Sequence, residues 1–242
     1  MPKYPSRKYR WPTVLDLYSG SGAVTAALKK MHFKVVAAID NDPVACQTFR
    51  SNHPQTRMIE GDIRKVNPND IRKKDLGGRN LDLLVVCAPC QPFSSQNKKR
   101  KRDPRSRLIL EAGRFARVLK PKAIFFENVP GLAARSNLLR ELRKELGPDY
   151  VLGDPARVDA ADFGVPQRRV RCIMVATRGT NTVKLPEPLT PKGKQVTVNA
   201  AIKHLVKLKA GESDPSDPLH ASREHHPITL RRLMSSSCSQ WK

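Results

Sequence analysis

Between residues 13 and 177, short β-branched or apolar runs alternate with stretches whose apolar residues recur every three or four positions. "TVLDLY" (13–18), "KVVAAID" (34–40), "RMIEGDI" (57–63), "LDLLVV" (81–86), "KAIFFENV" (122–129) and "RRVRCIMVAT" (168–177) read as strands. "GAVTAALKKM" (22–31), "PVACQTFRSN" (43–52), "SRLILEAGRFARVL" (106–119) and "NLLRELRKEL" (137–146) read as helices. In the third of these, Leu108, Ala112, Phe115, Ala116 and Leu119 fall at helical spacing. Apolar strands separated by helices of about ten residues predict a doubly wound α/β domain with a mostly parallel sheet over residues 1–178. From 179 to 242 the chain turns to Pro, Lys, Thr and Ser, with one helical stretch at 198–208 and no core of its own. That texture predicts a linker followed by an irregular extension.

Charge changes the picture next. The 242 residues carry 45 Lys and Arg against 22 Asp and Glu, a formal +23. Such an excess points to a polyanionic partner, most simply nucleic acid. It clusters in "KKRKRDPRSR" (98–107), seven cations with one aspartate, which by itself reads as a solvated loop. No apolar run approaches the ~20 residues of a membrane span, and the basic N-terminus lacks the apolar stretch of a signal peptide. An intracellular protein is expected. Five cysteines, at 46, 87, 90, 172 and 238, are odd in number and scattered, unlike a disulfide framework.

Two local patterns carry chemistry. "DLYSGSG" (16–22) follows the first strand and opens the first helix, where glycines let a ligand approach the backbone. Asp40 ends the second strand, placed to accept hydrogen bonds from a ribose diol, and Asp62 ends the third. No G-x-x-x-x-G-K-[ST] occurs, which counts against an NTPase. The loop and the two acids suit a nucleoside-bearing cofactor, either a dinucleotide or S-adenosylmethionine. The second pattern is "VVCAPCQPFS" (85–94). A redox pair needs only its C-x-x-C, but zinc needs four ligands, and no second C-x-x-C or paired histidines at ligand spacing exist. Pro89 and Pro92 stiffen the turn and hold the Cys90 thiol at the carboxyl edge of its strand, the edge at which Glu127 also ends a strand.

"APCQPFS", then "ENVPG", then "FGVPQRRVR" (163–171) resemble the cytosine-C5 DNA methyltransferase family, and "DLYSGSG" and "AIDNDPVACQTF" fit its first two motifs in order. The resemblance covers residues 13–178, and a weaker similarity runs through 197–234. It implies a fold of the S-adenosylmethionine-dependent methyltransferase type, S-adenosylmethionine as cofactor, no metal, and double-stranded DNA as partner, in the bacterial cytoplasm at the nucleoid. Cys90 then adds to C6 of cytosine, because a thiolate is the side chain nucleophilic enough near neutral pH. Glu127 draws electrons from the ring at N3. Arg169 and Arg171 alternate on one strand and, by resemblance, contact the base oxygen and support the reactive loop. Cys87 reads as a small buried residue. The cofactor residues implied are Asp16, Tyr18, Ser19, Gly20, Gly22, Asp40, Asn41, Asp62, Ile63 and Pro89. Those implied for nucleic acid are Gln91, Ser94, Lys98, Lys99, Arg100, Lys101, Arg102, Arg105, Gln167 and Arg168, the loop closing on phosphate once the target base is flipped out.

The family's variable recognition region and final motifs have no counterpart in this sequence. Three readings follow: one half of a split enzyme completed by a second polypeptide, an inactive gene remnant, or a minimal enzyme. The competing functions are RNA cytosine-C5 methylation and sequence-nonspecific nucleic-acid binding without catalysis.

Overall fold

The computed structural model describes residues 10–94, 103–179 and 183–235. They fall into two compact units, divided between Gln195 and Val196.

The first unit is built on an eight-stranded sheet. Strands β1 (Thr13–Leu17), β2 (Lys34–Asp40), β3 (Arg57–Glu60), β4 (Leu83–Val86) and β5 (Ala123–Asn128) run parallel in the order 3-2-1-4-5. Three strands follow: β6 (Tyr150–Leu152), β7 (Ala156–Asp159) and β8 (Val170–Arg178). Of these, β8 pairs antiparallel with β5, and β6 and β7 both pair with β8. The helices between strands are α1 (Ala23–Lys30), α2 (Pro43–Asn52), α3 (Pro68–Lys74), α4 (Glu111–Leu119) and α5 (Ser136–Leu146). The sheet is therefore mostly parallel and wound in both directions from β1, as the alternation of runs predicts.

Period-two alternation divides the core between the two faces of the sheet. Leu15, Leu17, Leu84, Val86, Ile124 and Phe126 pack with Ile71 of α3, Phe115 of α4 and Leu142 of α5. Val14, Val35 and Val85 pack on the opposite face with Leu28 of α1. All five residues of β1 are buried, so even its single charged residue, Asp16, lies in the interior.

The structure also amends the sequence reading. The helix expected over 106–119 is a 3-10 helix at Pro104–Leu110 followed by α4, and the one expected over 198–208 stops at Ile202. The third strand ends at Glu60, so Asp62 stands beyond it and caps a single 3-10 turn, Ile63–Lys65. Arg168 and Arg169 precede β8 rather than lie within it.

The second unit contains α6 (Val198–Ile202), a two-stranded ribbon of β9 (Ser213–Asp214) and β10 (Asp217–Ala221), and α7 (Pro227–Ser235). None of its described residues with an assigned exposure is buried. No helix among the described residues is long and apolar enough to cross a membrane.

Candidate active site

The strand order reverses between β1 and β4, and a doubly wound sheet opens a crevice beyond the carboxyl ends of the strands at such a point. The predicted residues gather at that edge. Tyr18 follows β1, Asp40 ends β2, Asp62 lies past β3, Pro89 and Cys90 follow β4, and Glu127 sits at the end of β5.

Cys90 is exposed and caps a single 3-10 turn, Gln91–Phe93, its carbonyl accepting from the amides of Phe93 (2.9 Å) and Ser94 (3.0 Å). The turn is held from the segment after β5. Buried Asn128 donates its side-chain amide to the Ala88 carbonyl (2.9 Å), Arg135 donates to the Pro92 carbonyl (3.2 Å), and Gly131 lies directly against the Phe93 carbonyl. A Cβ at Gly131 would stand 2.1 Å from that oxygen, so only glycine fits. These three residues act on the Cys90 turn, and sequence reading assigned none of them. The one available signal was the directness with which "ENVPG" follows a strand.

Cys87 packs on the opposite face of the sheet, beside Val14, Val35 and Val85. Burial, reinforced by the carboxylates of Asp16 and Glu127, pushes its thiol far above the ordinary cysteine range. It is therefore a poor nucleophile, and of the two cysteines Cys90 is the one presented to solvent.

Glu127 meets Arg171, whose Nε lies 2.8 Å from a carboxylate oxygen. Because β8 is antiparallel to β5, its first residues arrive at the carboxyl edge, and this is what brings Arg171 to Glu127. Arg171 also donates to the Val170 carbonyl (2.8 Å). Just upstream, Asp159 organises the turn: one carboxylate oxygen accepts from the amides of Arg169 (2.9 Å) and Ala161 (3.2 Å), the other faces Arg168 at 3.7 Å. Gln167 donates its amide to Val165. Asp159, too, was absent from the sequence assignment.

A cleft of about 410 Å³ adjoins the Cys90 turn. Six of the ten residues assigned to a cofactor line it: Tyr18, Asp40, Asn41, Asp62, Ile63 and Pro89. Gln91, Arg105, Arg64 and Leu108 complete its walls with others. Asp40 accepts from the Gly20 amide (2.8 Å) and the Asp42 amide (2.9 Å), so it folds the glycine loop as well as facing the cleft. Tyr18 stands at φ 62° and donates its hydroxyl to the Leu108 carbonyl (2.7 Å). The Asp62 carboxylate is gripped by the Arg64 guanidinium, which lowers its pKa to about 2. Ser19, Gly20, Gly22 and Asp16, the other four, are not among the residues that line it. Gly22 stands at φ 94°, and its carbonyl lies 2.9 Å from the Nε2 of buried His53. Asp16 accepts from the Thr25 hydroxyl (2.8 Å) with one carboxylate oxygen, while the other is buried without a partner. Burial raises its pKa to about 6.

The donor set fits an adenosyl group. Asp40, Asp42 and Asp62 offer carboxylate acceptors of the kind ribose hydroxyls need, and Tyr18, Ile39, Ile63 and Pro89 offer apolar surface. Among the described residues, no three His, Cys, Asp or Glu side chains converge as a metal site.

Of the residues assigned to nucleic acid, Lys98, Lys99, Arg100, Lys101 and Arg102 lie outside the described residues. Arg105 is described: Asp103 holds its guanidinium through two contacts (3.0 and 2.7 Å), and it lines the cleft rather than pointing out to solvent alone.

Comparison with known proteins follows from this geometry. The family model of C-5 cytosine-specific DNA methylases matches residues 12–232. The chain is 36% identical to the type II methyltransferase M.NgoMIV of Neisseria gonorrhoeae over 76% of its own length and 58% of the relative's. It is 31% identical to the type II methylase M.HgiDII of Herpetosiphon aurantiacus over 92% of its length and 63% of the relative's. Its fold matches the structure of an Escherichia coli protein described as a putative prophage-encoded DNA modification methyltransferase, with TM-score 0.69 and 26% identity, over 84% of this chain and 57% of that one. The chain thus spans about three fifths of the length of these three proteins.

Proposed function

The chain belongs to the C-5 cytosine-specific DNA methylase family, and on that premise we propose that it methylates C5 of cytosine in DNA through a covalent adduct at Cys90. One observation carries the reading. An exposed cysteine stands on a turn fixed at three backbone points, at the sheet edge where a Glu–Arg pair also ends a strand and beside a cleft whose lining suits an adenosyl group.

The residues divide the work as follows. The Cys90 thiolate adds to C6 of a cytosine extruded from the duplex, since C5 inside the stack is out of reach. Glu127, oriented by Arg171, acts in its protonated form, donating to N3 and drawing electron density from the ring, which eases the addition; the electron pair brought by the thiolate then makes C5 nucleophilic. S-adenosylmethionine, when bound, supplies the methyl group as an electrophile. Loss of the C5 proton to solvent water then lets the Cys90–C6 bond break and returns the thiolate. Asp40, Asn41, Asp62, Ile63, Tyr18 and Pro89 would hold the cofactor. Arg169 supports the base and the reactive loop, and the basic stretch 98–107 meets phosphate. Residues 1–178 carry this chemistry.

The test is trapping on 5-fluorocytosine duplex DNA with S-adenosylmethionine. Fluorine at C5 blocks proton loss, so the adduct persists through denaturing electrophoresis. A shifted band is expected with the unaltered chain and with Cys87→Ser, and none with Cys90→Ser. The opposite pattern of the two serine variants overturns the assignment.

A further inference from the structure

We propose that Arg114, a residue of α4 that does not itself line the cleft, is the positioning residue for the cleft's Asp62–Ile63 wall; this rests on the cofactor reading above. The wall has little support of its own. Beyond Glu60 the Gly61 amide still donates to the Asp40 carbonyl (2.8 Å), and the chain then folds as one 3-10 turn held by main-chain bonds from Lys65 to Asp62 and from Val66 to Ile63 and by the Asp62 carboxylate accepting from the Arg64 amide (3.0 Å). The Ile63 carbonyl accepts from the Val66 amide (3.1 Å) and keeps a second lone pair, and the Val66 carbonyl lies at the end of the turn, so both can take donors from elsewhere.

Arg114 supplies them. One terminal nitrogen donates to the Ile63 carbonyl (2.6 Å) and the other to the Val66 carbonyl (2.7 Å). Its Nε donates to Glu111, one turn earlier on α4, at 2.7 Å, which fixes the plane of the guanidinium. A planar fork with donors on three nitrogens can satisfy both carbonyls and Glu111 together, and an ammonium cannot reproduce that arrangement. Ile63, the residue so held, is buried and lines the cleft beside Asp62. The 3-10 helix before α4 also carries Leu108, whose carbonyl receives the Tyr18 hydroxyl on the cleft's other side. Two walls of the cleft are thereby referred to one continuous segment, 104–119.

Arg117, one turn further along α4, is the control. It pairs with the side chain and backbone of Glu145, well away from the 61–67 turn. The full chain is used, with S-adenosylhomocysteine as the calorimetric probe and hydrogen exchange as a second measurement. Arg114→Gln should speed exchange in peptides covering 61–67 and weaken the probe's binding roughly ten- to a hundredfold, the worth of two charge-assisted hydrogen bonds partly offset by water. Arg114→Lys should lie between, and it stands in should the glutamine variant not fold. Arg117→Gln should change neither. Unchanged exchange in 61–67, affinity kept within about twofold, or an equal loss in Arg117→Gln each overturns the proposal. Should the unaltered chain take up no probe, the cofactor reading fails, and the exchange result alone then decides whether Arg114 holds the turn.

Discussion

Replacing Gly131 by alanine adds one methyl group, and the structure sets its cost. The new Cβ would stand 2.1 Å from the Phe93 carbonyl oxygen and 3.2 Å from its carbon. Ordinary contact begins at 3.4 Å, so the two backbones must part by about 1.3 Å. Neither obstacle is a side chain that can rotate away. Overpacking of this kind costs about 1–3 kcal/mol, here divided between lost stability and displacement of the turn that carries Cys90. A reactive group misplaced by about 1 Å can lose on the order of a hundredfold in rate. Gly131→Ala should therefore unfold at lower urea concentration and form the fluorocytosine adduct at least tenfold more slowly, while its affinity for S-adenosylhomocysteine stays within about twofold. A variant with unchanged stability and an unchanged adduct rate would refute the claim that this approach positions the nucleophile.

Asp40→Ala removes both a cleft carboxylate and the acceptor that folds the Gly20 amide into place; calorimetry should show cofactor binding weakened roughly ten- to a hundredfold, and unchanged affinity would remove Asp40 from the site. Asp16 has a folded-state pKa near 6 against 3.8 when free, so the native state holds its proton more tightly than the unfolded chain does. Its burial consequently costs nothing below pH 3.8 and progressively more up to about pH 6, at most about 3 kcal/mol. Urea titrations should thus show Asp16→Asn gaining on the unaltered chain from pH 4 to pH 7, and parallel curves would contradict the shift.

What the sequence disclosed follows from how locally each feature is encoded. Strands β1, β2, β4 and β5 are apolar runs long enough to read directly, and β8 was found although its first residues were set two positions early. By contrast, α3 was missed because "PNDIRKK" buries only Pro68 and Ile71 and looks like solvated loop. The strands β6 and β7 are three and four residues long and gain their pairing only from β8. The positions of Cys90 and Glu127 at the carboxyl edge were legible because short motifs surround them. Asn128, Arg135 and Arg114 were not, since each acts on a backbone carbonyl some 40 to 50 residues away in the chain. Nothing in a carbonyl's own residue type announces the donor that will reach it.

The hold on the Cys90 turn has one more consequence. Asn128, Gly131 and Arg135 engage the main-chain oxygens of Ala88, Phe93 and Pro92 and touch the side chain of none of them in these contacts. Main-chain atoms are common to every amino acid, so the mounting is indifferent to what it carries. The residue at position 90 can be exchanged without rebuilding its support, which makes the turn an interchangeable socket. On the reaction proposed above, serine there would leave the socket empty of thiol yet correctly shaped, giving a chain suited to hold an extruded base without reacting with it.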